Sequence, residues 1–277
     1  MRTNTVLTYP VANIYDYLRI VEKCKQEWFV DEQTWGPWFR GQSDACWPLR
    51  PTMYRYLPLA RDVRAVEDEL RQEFAVRAPN LCPERPQNSW EWYFLMQHSG
   101  APTRLLDWTE SALIALFFAV KSRGSRTDAA VWILEPWKLN ECVAKIDEVV
   151  APSANIGMVT SHADRYAEWL PDRYSNTGKL KKRLPVALYP VHFSRRISSQ
   201  RSCFTAHGSD LDGFDHLPRR ASRFIRKVVI PAGKIREIES SLAVFGVDEL
   251  TIYPDLDGLG RWLTSILREE SWAPNSK

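Results

Sequence analysis

Apolar residues recur along the chain with the spacing expected of helices and strands. A first helix is predicted from five apolar positions at helical spacing, namely Ile14, Tyr17, Leu18, Val21 and Cys24. Asn13 precedes this helix as its expected N-cap. The run 110–120 is almost wholly apolar and predicts a buried helix, with Thr109 as its N-cap. Strands are predicted at three short apolar runs: 130–134, 186–193 and 224–230.

The remaining pattern adds helices on either side of these runs. A largely charged helix is predicted over 59–77, and a helix from Ile235 is stopped by Gly246. A strand is expected at 247–253, followed by a last helix whose predicted buried face is Leu259, Trp262, Leu263, Ile266 and Leu267. The first half is rich in helices and the second in strands. This order indicates an α+β fold with one mixed or antiparallel sheet flanked by helices.

The chain is predicted to form a single domain over 1–277. The stretch 140–184 is irregular, contains Pro152, Pro171 and Gly178, and ends in a basic run, so we expect it to be an insertion or lid on the core.

Composition narrows the classes of protein to consider. Hydrophobic residues make up 44% and charged residues 26%, and the net charge is only +3, which is too small to indicate nucleic-acid binding by itself. The chain has no apolar run of about 18 residues, so no membrane span is predicted. Five scattered cysteines and the lack of a signal-type segment favour a reduced, cytoplasmic protein. The histidines show no metal-ligand spacing, and no metal site is predicted.

Phosphate-binding loops of the common kinds are also missing. No Gly-x-Gly-x-x-Gly follows a strand, and there is no Walker-type loop. These absences argue against a Rossmann dehydrogenase and against an NTPase.

The stretch 97–109 concentrates polar chemistry between two apolar segments. It contains Gln97, His98, Thr103, Arg104 and Asp107, which together are enough to build a site. We interpret the stretch as a loop at the start of the buried helix, where the positive end of the helix dipole favours an anion.

A second polar break follows an apolar run at Trp38-Phe39. Arg40 and Gln42 flank Gly41, so Arg40 is expected at the end of a short strand. Its planar guanidinium suits the recognition of a carboxylate or a phosphate. Two such arginines near backbone-permissive glycines suggest a pocket.

A structural interpretation of the same residues competes with the pocket. Arg104 and Asp107 are expected in that case to form a salt bridge that fixes the loop, with His98 at the end of the preceding helix. The chain has twelve tryptophans, many of them in the first third. We expect most of them to be core or partner-facing residues, and an aromatic cage is the less favoured alternative.

Taken together, these motifs resemble the FRG domain family. The matching pieces are Phe39-Arg40-Gly41-Gln42, the stretch 97–109, the run 115–119, Gln200 with Phe204-Thr205, and Gly246-Val247 leading into 253–259. They span 38–259, which is most of the chain. One departure is Cys203, which stands where the family often has glycine.

The resemblance implies a fold similar to that of ADP-ribosyltransferases, with NAD as a substrate. In that plan Arg40 is the first-strand anchor and Thr205 lies on the strand beneath the nicotinamide. A carboxylate that steadies the ribose is sought among Glu249, Asp255 and Asp257, although Asp255 and Asp257 are equally candidates for caps of the last helix. The assigned catalytic candidates are Arg40, His98, Glu249 and Asp255. The expected NAD contacts are Arg40, Gln42, Gln97, His98, Thr103, Arg104, Asp107 and Thr205.

Basic residues crowd the second half of the chain. They are Lys179, Lys181, Lys182, Arg183, Arg195, Arg196, Arg201, Arg219, Arg220, Arg223, Arg226 and Lys227. A solvated face is the simpler interpretation. The functional alternative is a surface that tracks phosphates, with RNA favoured over DNA as the acceptor.

Two hypotheses from different classes follow. The first is an ADP-ribosyltransferase toxin that modifies RNA or DNA in a toxin–antitoxin or phage-defence system, with an antitoxin protein as partner. The second is a binding module that holds a nucleotide or nucleic acid without chemistry. A nuclease is disfavoured because the sequence shows no cluster of metal ligands.

Overall fold

The structure of the protein is a computed structural model. It describes residues 6–29, 36–56, 63–82, 85–121, 126–152, 163–170, 183–190 and 198–270. The predictions for Lys179, Lys181, Lys182, Arg195 and Arg196 lie outside these residues.

Seven strands form a single sheet. They are β1 (Leu7–Pro10), β2 (Trp38–Gln42), β3 (Leu105–Thr109), β4 (Ala129–Leu134), β5 (Val186–Leu188), β6 (Ser202–Ala206) and β7 (Ile225–Ile230). Their order across the sheet is β1-β7-β4-β2-β3-β6-β5. The β1–β7 pair is parallel and the other pairs are antiparallel, so the sheet is mixed.

Helices flank this sheet. They are α1 (Ile14–Trp28), α2 (Thr52–Tyr56), α3 (Val63–Arg77), α4 (Ser89–His98), α5 (Ala112–Val120), α6 (Pro136–Ala144), α7 (Ala163–Tyr166), α8 (Arg219–Ser222), α9 (Ile235–Val244), α10 (Glu249–Ile252) and α11 (Leu256–Glu270). The α+β class with one mixed sheet, expected from the apolar pattern, is confirmed.

The two central strands β2 and β3 separate soon after they meet. They are in register only at Phe39 and Thr109, whereas β2 pairs with β4 along all five of its residues. Gly41 lies where β2 passes α5. A Cβ built at Gly41 would overlap the carbonyl oxygen of Ala115 and stand 2.6 Å from the amide nitrogen of Ala119. The absence of a side chain therefore lets α5 pack directly on the strand next to the split.

Each face of the sheet has its own apolar core. On one face α1, α5 and α9 pack over β2, β4 and β7, and α4 packs over β3, β5 and β6. The opposite face is covered by α6, α8 and the segment around Phe214 and Leu217. Trp38 is buried on this second face. Arg40 follows Trp38 by two residues on β2, so the Arg40 side chain leaves the sheet on the same side.

The described parts of 140–184 pack as part of the core. Asn140 is fully buried, and its amide donates to the carbonyl oxygens of Glu148 and Ala187 at 2.9 Å. Tyr166 and Trp169 are also buried, with at most 1% of their surface exposed to solvent.

Four local predictions were wrong. Residues 105–109 are a strand and not a loop, because they complete the sheet between β2 and β6. The cap of α5 is Ser111, and the Thr109 hydroxyl instead accepts from the amide of Ser111. Residues 249–252 are a helix because Asp248 and Thr251 form a reciprocal capping box. On α11, Leu263 and Leu267 are exposed at 51% and 67%, so the predicted buried face is largely open.

Several other predictions are confirmed. Asn13 caps α1 by accepting from the amide of Asp16, and β4 and β7 lie where the apolar runs placed them. Helix α9 ends at Val244, and Gly246 follows with a left-handed φ of 74°.

Candidate functional site

Arg40 lies in the middle of β2, beside the split between β2 and β3. One guanidinium nitrogen, Nη1, donates to the main-chain carbonyl of Asp107 at 2.6 Å and lies 3.8 Å from the carboxylate oxygen Oδ2. Because the backbone carbonyl is bonded directly, the arginine spans the gap where the two strands have no register. Arg40 was expected at the end of a strand, and its mid-strand position follows from the continuous pairing of β2 with β4.

The environment of Arg40 leaves its charge poorly compensated. Burial lowers the pKa of the guanidinium to about 10, Asp107 raises it, and nearby Arg55 lowers it further. The Nε atom is buried and has no hydrogen-bond partner among the described residues. The side chain nevertheless keeps 15% of its surface exposed to solvent. The Arg40 guanidinium is desolvated, lacks one hydrogen bond and has Arg55 nearby, and these three features together favour the binding of an anion.

Asp107 is held by Gln97 from the end of α4. The Gln97 amide donates to both carboxylate oxygens at 2.9 Å, and the Thr103 hydroxyl donates to the Gln97 carbonyl oxygen. Asp107 itself is 58% exposed. The chain of bonds thus orients a solvent-accessible carboxylate next to Arg40.

Arg104 has a different environment. Its Nε donates to both oxygens of Glu67, at 3.0 and 2.8 Å, and both side chains are fully buried. The other guanidinium nitrogens donate to the carbonyl oxygens of His207 and Trp169, and the Tyr93 hydroxyl donates to Glu67 at 2.6 Å. Arg104 therefore joins α3, β3 and the segment 163–170. The structural interpretation of the loop expected Arg104 to pair with Asp107, but Arg104 pairs with Glu67 instead. Arg104 was also expected to contact NAD, and it lies in the interior of the protein.

Thr205 is buried behind the split. Its hydroxyl accepts from the Trp108 indole at 3.1 Å and lies 3.3 Å from Nε2 of His207. Burial, together with Arg104 and Arg40, lowers the pKa of His207 to about 3, so the imidazole is neutral. Its Nδ1 has no hydrogen-bond partner among the described residues. His207 was missed by the sequence analysis, although its place two residues after Thr205 puts both on one face.

Gln42 and His98 do not join the Arg40–Asp107 pair. The Gln42 amide donates to the carbonyl of Pro48, and its oxygen accepts from the Trp132 indole at 2.7 Å. His98 is the last residue of α4, and Arg40 has no hydrogen bond or ion pair with it.

Among the described residues, the three carboxylates of the C-terminal segment form no hydrogen bond or ion pair with Arg40. Glu249 faces Arg261 at 3.4 Å, and Asp255 caps the start of α11 by accepting from the amide of Gly258 at 2.7 Å. Asp257 is exposed in the first turn of α11. Of these, Asp255 thus has the capping role that the sequence analysis kept open.

The structure brings together four predicted site residues. Arg40, Gln97, Thr103 and Asp107 form one hydrogen-bonded cluster at the split, which we call the β2–β3 cluster. Thr205 lies behind the cluster, beside the neutral His207.

Among the basic positions within the described residues, Arg219, Arg220 and Arg223 are exposed on α8 and directly after it. Arg183 pairs with Asp210 at 3.2 Å, and Arg226 is buried against Glu27 and Trp28. Over the part of the chain that the structure describes, no group of three metal-ligating side chains is found. No helix in those same ranges is long and apolar enough to cross a membrane.

Comparison with known families supports the resemblance noted in the sequence. The family model described as the FRG domain matches residues 36–128, which confirms an FRG domain over this segment. The matched segment holds the whole β2–β3 cluster and ends directly before β4. No curated protein and no solved structure matches the chain.

Proposed function

We propose that this chain binds NAD at the β2–β3 cluster and transfers its ADP-ribose to a macromolecule, in a fold similar to that of ADP-ribosyltransferases. The observation that supports this most is Arg40. It is a partly accessible arginine with a buried, unbonded Nε, placed where two central strands of a mixed sheet separate.

The charges of the cluster suit a pyrophosphate. Arg55 is a second cation, close enough to Arg40 to lower its pKa. Asp107 is the one carboxylate that interacts with Arg40 among the described residues. The net positive balance attracts a phosphate, and a guanidinium can bind two phosphate oxygens at once. Arg40 is therefore the proposed anchor for the diphosphate of NAD.

The chemistry assigns a role to Asp107. Breaking the bond between nicotinamide and ribose leaves positive charge on the ribose, which a nearby carboxylate stabilises. The bonding electrons leave with nicotinamide, and an acceptor nucleophile then forms the new bond to the ribose carbon. Asp107 is exposed and oriented by Gln97, which suits this position better than Glu249 or Asp255.

The proposed acceptor is a nucleic acid, with RNA favoured over DNA. The exposed arginines on and beside α8 support a nucleic acid as acceptor, because they provide charge for phosphates without an acidic residue in the same helix. In the biological setting we propose, the activity is that of a toxin restrained by a protein antitoxin.

A second candidate is a module that binds a nucleotide without reacting with it. The observation in its favour is that Asp107, Gln97 and Thr103 already satisfy one another, which is typical of a rigid binding site.

Nicotinamide release separates the two candidates. The full chain is incubated with NAD, and free nicotinamide is measured by chromatography with and without total RNA as acceptor. A transferase releases nicotinamide and labels RNA from NAD radiolabelled in its adenylate phosphate. A binding module retains affinity for ADP-ribose, measured by calorimetry, and releases none.

A further inference from the structure

A groove outside the β2–β3 cluster lies between α3 and α4. It includes a cavity of about 190 Å³ with mostly apolar walls, formed by Phe74, Ala75, Trp92 and Met96. Arg71 stands at this cavity and lies 3.6 Å from Asp68. The volume is below that of common small-molecule pockets and suits a single large apolar side chain.

A second cavity adjoins the first across Trp92. It has a volume of about 360 Å³ and is lined by Pro79, Cys82, Arg85 and Pro86 together with that same tryptophan. Trp92 packs edge-on against Phe74, with ring centroids 6.4 Å apart. The indole is thus a shared wall between an apolar cavity and a more polar one.

Apolar side chains continue onto the surface beside both cavities. Val76, next to Ala75, is 77% exposed, and Leu81, next to Cys82, is 84% exposed. A small ligand buried in either cavity would leave these side chains in water. Exposed apolar surface around a cavity is typical of a site that a protein partner covers.

The charge beside the groove indicates what the partner carries. Arg85 lines the second cavity and forms no ion pair within the described ranges, whereas Arg77 is paired with Glu73 at 2.8 Å. Tryptophan and arginine are the residues that most often dominate binding energy at interfaces. An acidic side chain opposite Arg85 would supply the counter-charge that this arginine lacks among the described residues.

We infer that the α3–α4 groove is a docking surface for an acidic, amphipathic segment of a partner protein. A large apolar side chain of the segment enters the cavity at Trp92, and a carboxylate pairs with Arg85. This inference goes beyond the proposed function, because it requires neither NAD nor Arg40.

The test uses a display library of randomised 16-residue peptides selected against the full chain. Dissociation constants of the enriched peptides are measured by fluorescence polarisation on the natural sequence and on Trp92→Ala, Arg85→Glu and Val76→Asp. Leu263→Asp and Arg19→Glu are matched controls on exposed positions elsewhere. Arg85 and Val76 are exposed, so their variants keep the test valid even where Trp92→Ala does not fold.

The expected peptides combine acidic residues with a large apolar side chain. Their affinity falls at least about tenfold with Trp92→Ala and about three- to tenfold with Arg85→Glu, and the controls leave it unchanged. Arg40→Ala also leaves it unchanged, which separates this inference from the proposed function. The inference is overturned by failure to enrich any peptide, by enrichment of basic peptides, or by peptides that bind the groove variants normally.

Discussion

Arg40 on β2 donates a hydrogen bond to the main-chain carbonyl of Asp107 on β3, at a point where those neighbouring strands have stopped pairing. Their side chains leave the sheet on opposite faces, so Arg40 can reach Asp107 only because the two strands separate. The split is therefore what gives an accessible arginine and an accessible carboxylate a common position.

The two arginines of the FRG motifs have opposite roles, and their variants should separate them. Arg104→Met leaves Glu67 buried without its counter-ion, so we expect the free energy of unfolding to fall by about 3–5 kcal/mol. The double variant Arg104→Met with Glu67→Leu should lose less than Arg104→Met alone. Urea unfolding followed by circular dichroism measures both. Arg77→Ala, which breaks an exposed pair, is the control and should cost at most about 1 kcal/mol. Equal losses for Arg104→Met and Arg77→Ala would contradict the structural role of Arg104.

Gly41 should be intolerant of any side chain. Its Cβ would overlap backbone atoms of α5, which cannot move without displacing a buried helix. We expect Gly41→Ala to lower the free energy of unfolding by at least about 3 kcal/mol or to prevent folding. Gly233→Ala, where no atom lies within 4 Å, should change it by no more than about 0.5 kcal/mol. Thermal melting compares the two, and a normal Tm for Gly41→Ala would show that α5 is not held against β2.

His207 should make the fold sensitive to acid. Its folded pKa, about 3, is below the ordinary value of 6.5, so the unfolded chain takes up the proton first. Stability is thus lost as pH falls below 6.5, at about 1.4 kcal/mol per pH unit. A His207→Gln variant lacks this loss. The difference in unfolding free energy between the natural chain and the variant should therefore shrink from pH 6.5 to 4.5, and a constant difference would exclude a buried neutral imidazole.

Asp107 should affect the reaction more than binding. Asp107→Asn keeps the shape and one of the two hydrogen bonds from the Gln97 amide, but it removes the charge proposed to steady the ribose cation. We expect nicotinamide release to fall about 10²- to 10³-fold, while the affinity for ADP-ribose changes by less than about threefold. Glu249→Gln and Asp255→Asn are the matched controls, and a larger loss in either would return the acid role to the C-terminal segment.

Local patterns in the sequence were enough for many of the elements. The cap at Asn13, strand β4 and the end of α9 just before Gly246 each depend on neighbouring residues, and they lie where expected. Residues 105–109 were mistaken for a loop because Asp107 interrupts the apolar pattern. Only pairing with β6, about a hundred residues away, makes them a strand.

The sequence predicted only part of the candidate site and did not predict its hydrogen bonds. Arg40, Gln97 and Asp107 were recognised from motif residues, and the FRG domain is confirmed over 36–128. The pairing of Arg104 with Glu67 links a loop-like motif to an ordinary helix 37 residues earlier, and nothing local marks Glu67. His207 was likewise missed, because its importance arises from burial between Tyr54 and Phe214.

The proposed function depends on Arg40 as the anchor of an anionic dinucleotide. The most direct measurement is calorimetric titration of NAD and ADP-ribose into the natural chain, Arg40→Lys and Arg40→Ala, with thermal melting of each protein. We expect Arg40→Lys to weaken binding about tenfold and Arg40→Ala to abolish it, because an ammonium ion cannot provide the bidentate fork. Both variants should melt within a few degrees of the natural chain. Unchanged affinity in Arg40→Ala, or a large fall in Tm that accounts for the loss, would contradict the claim.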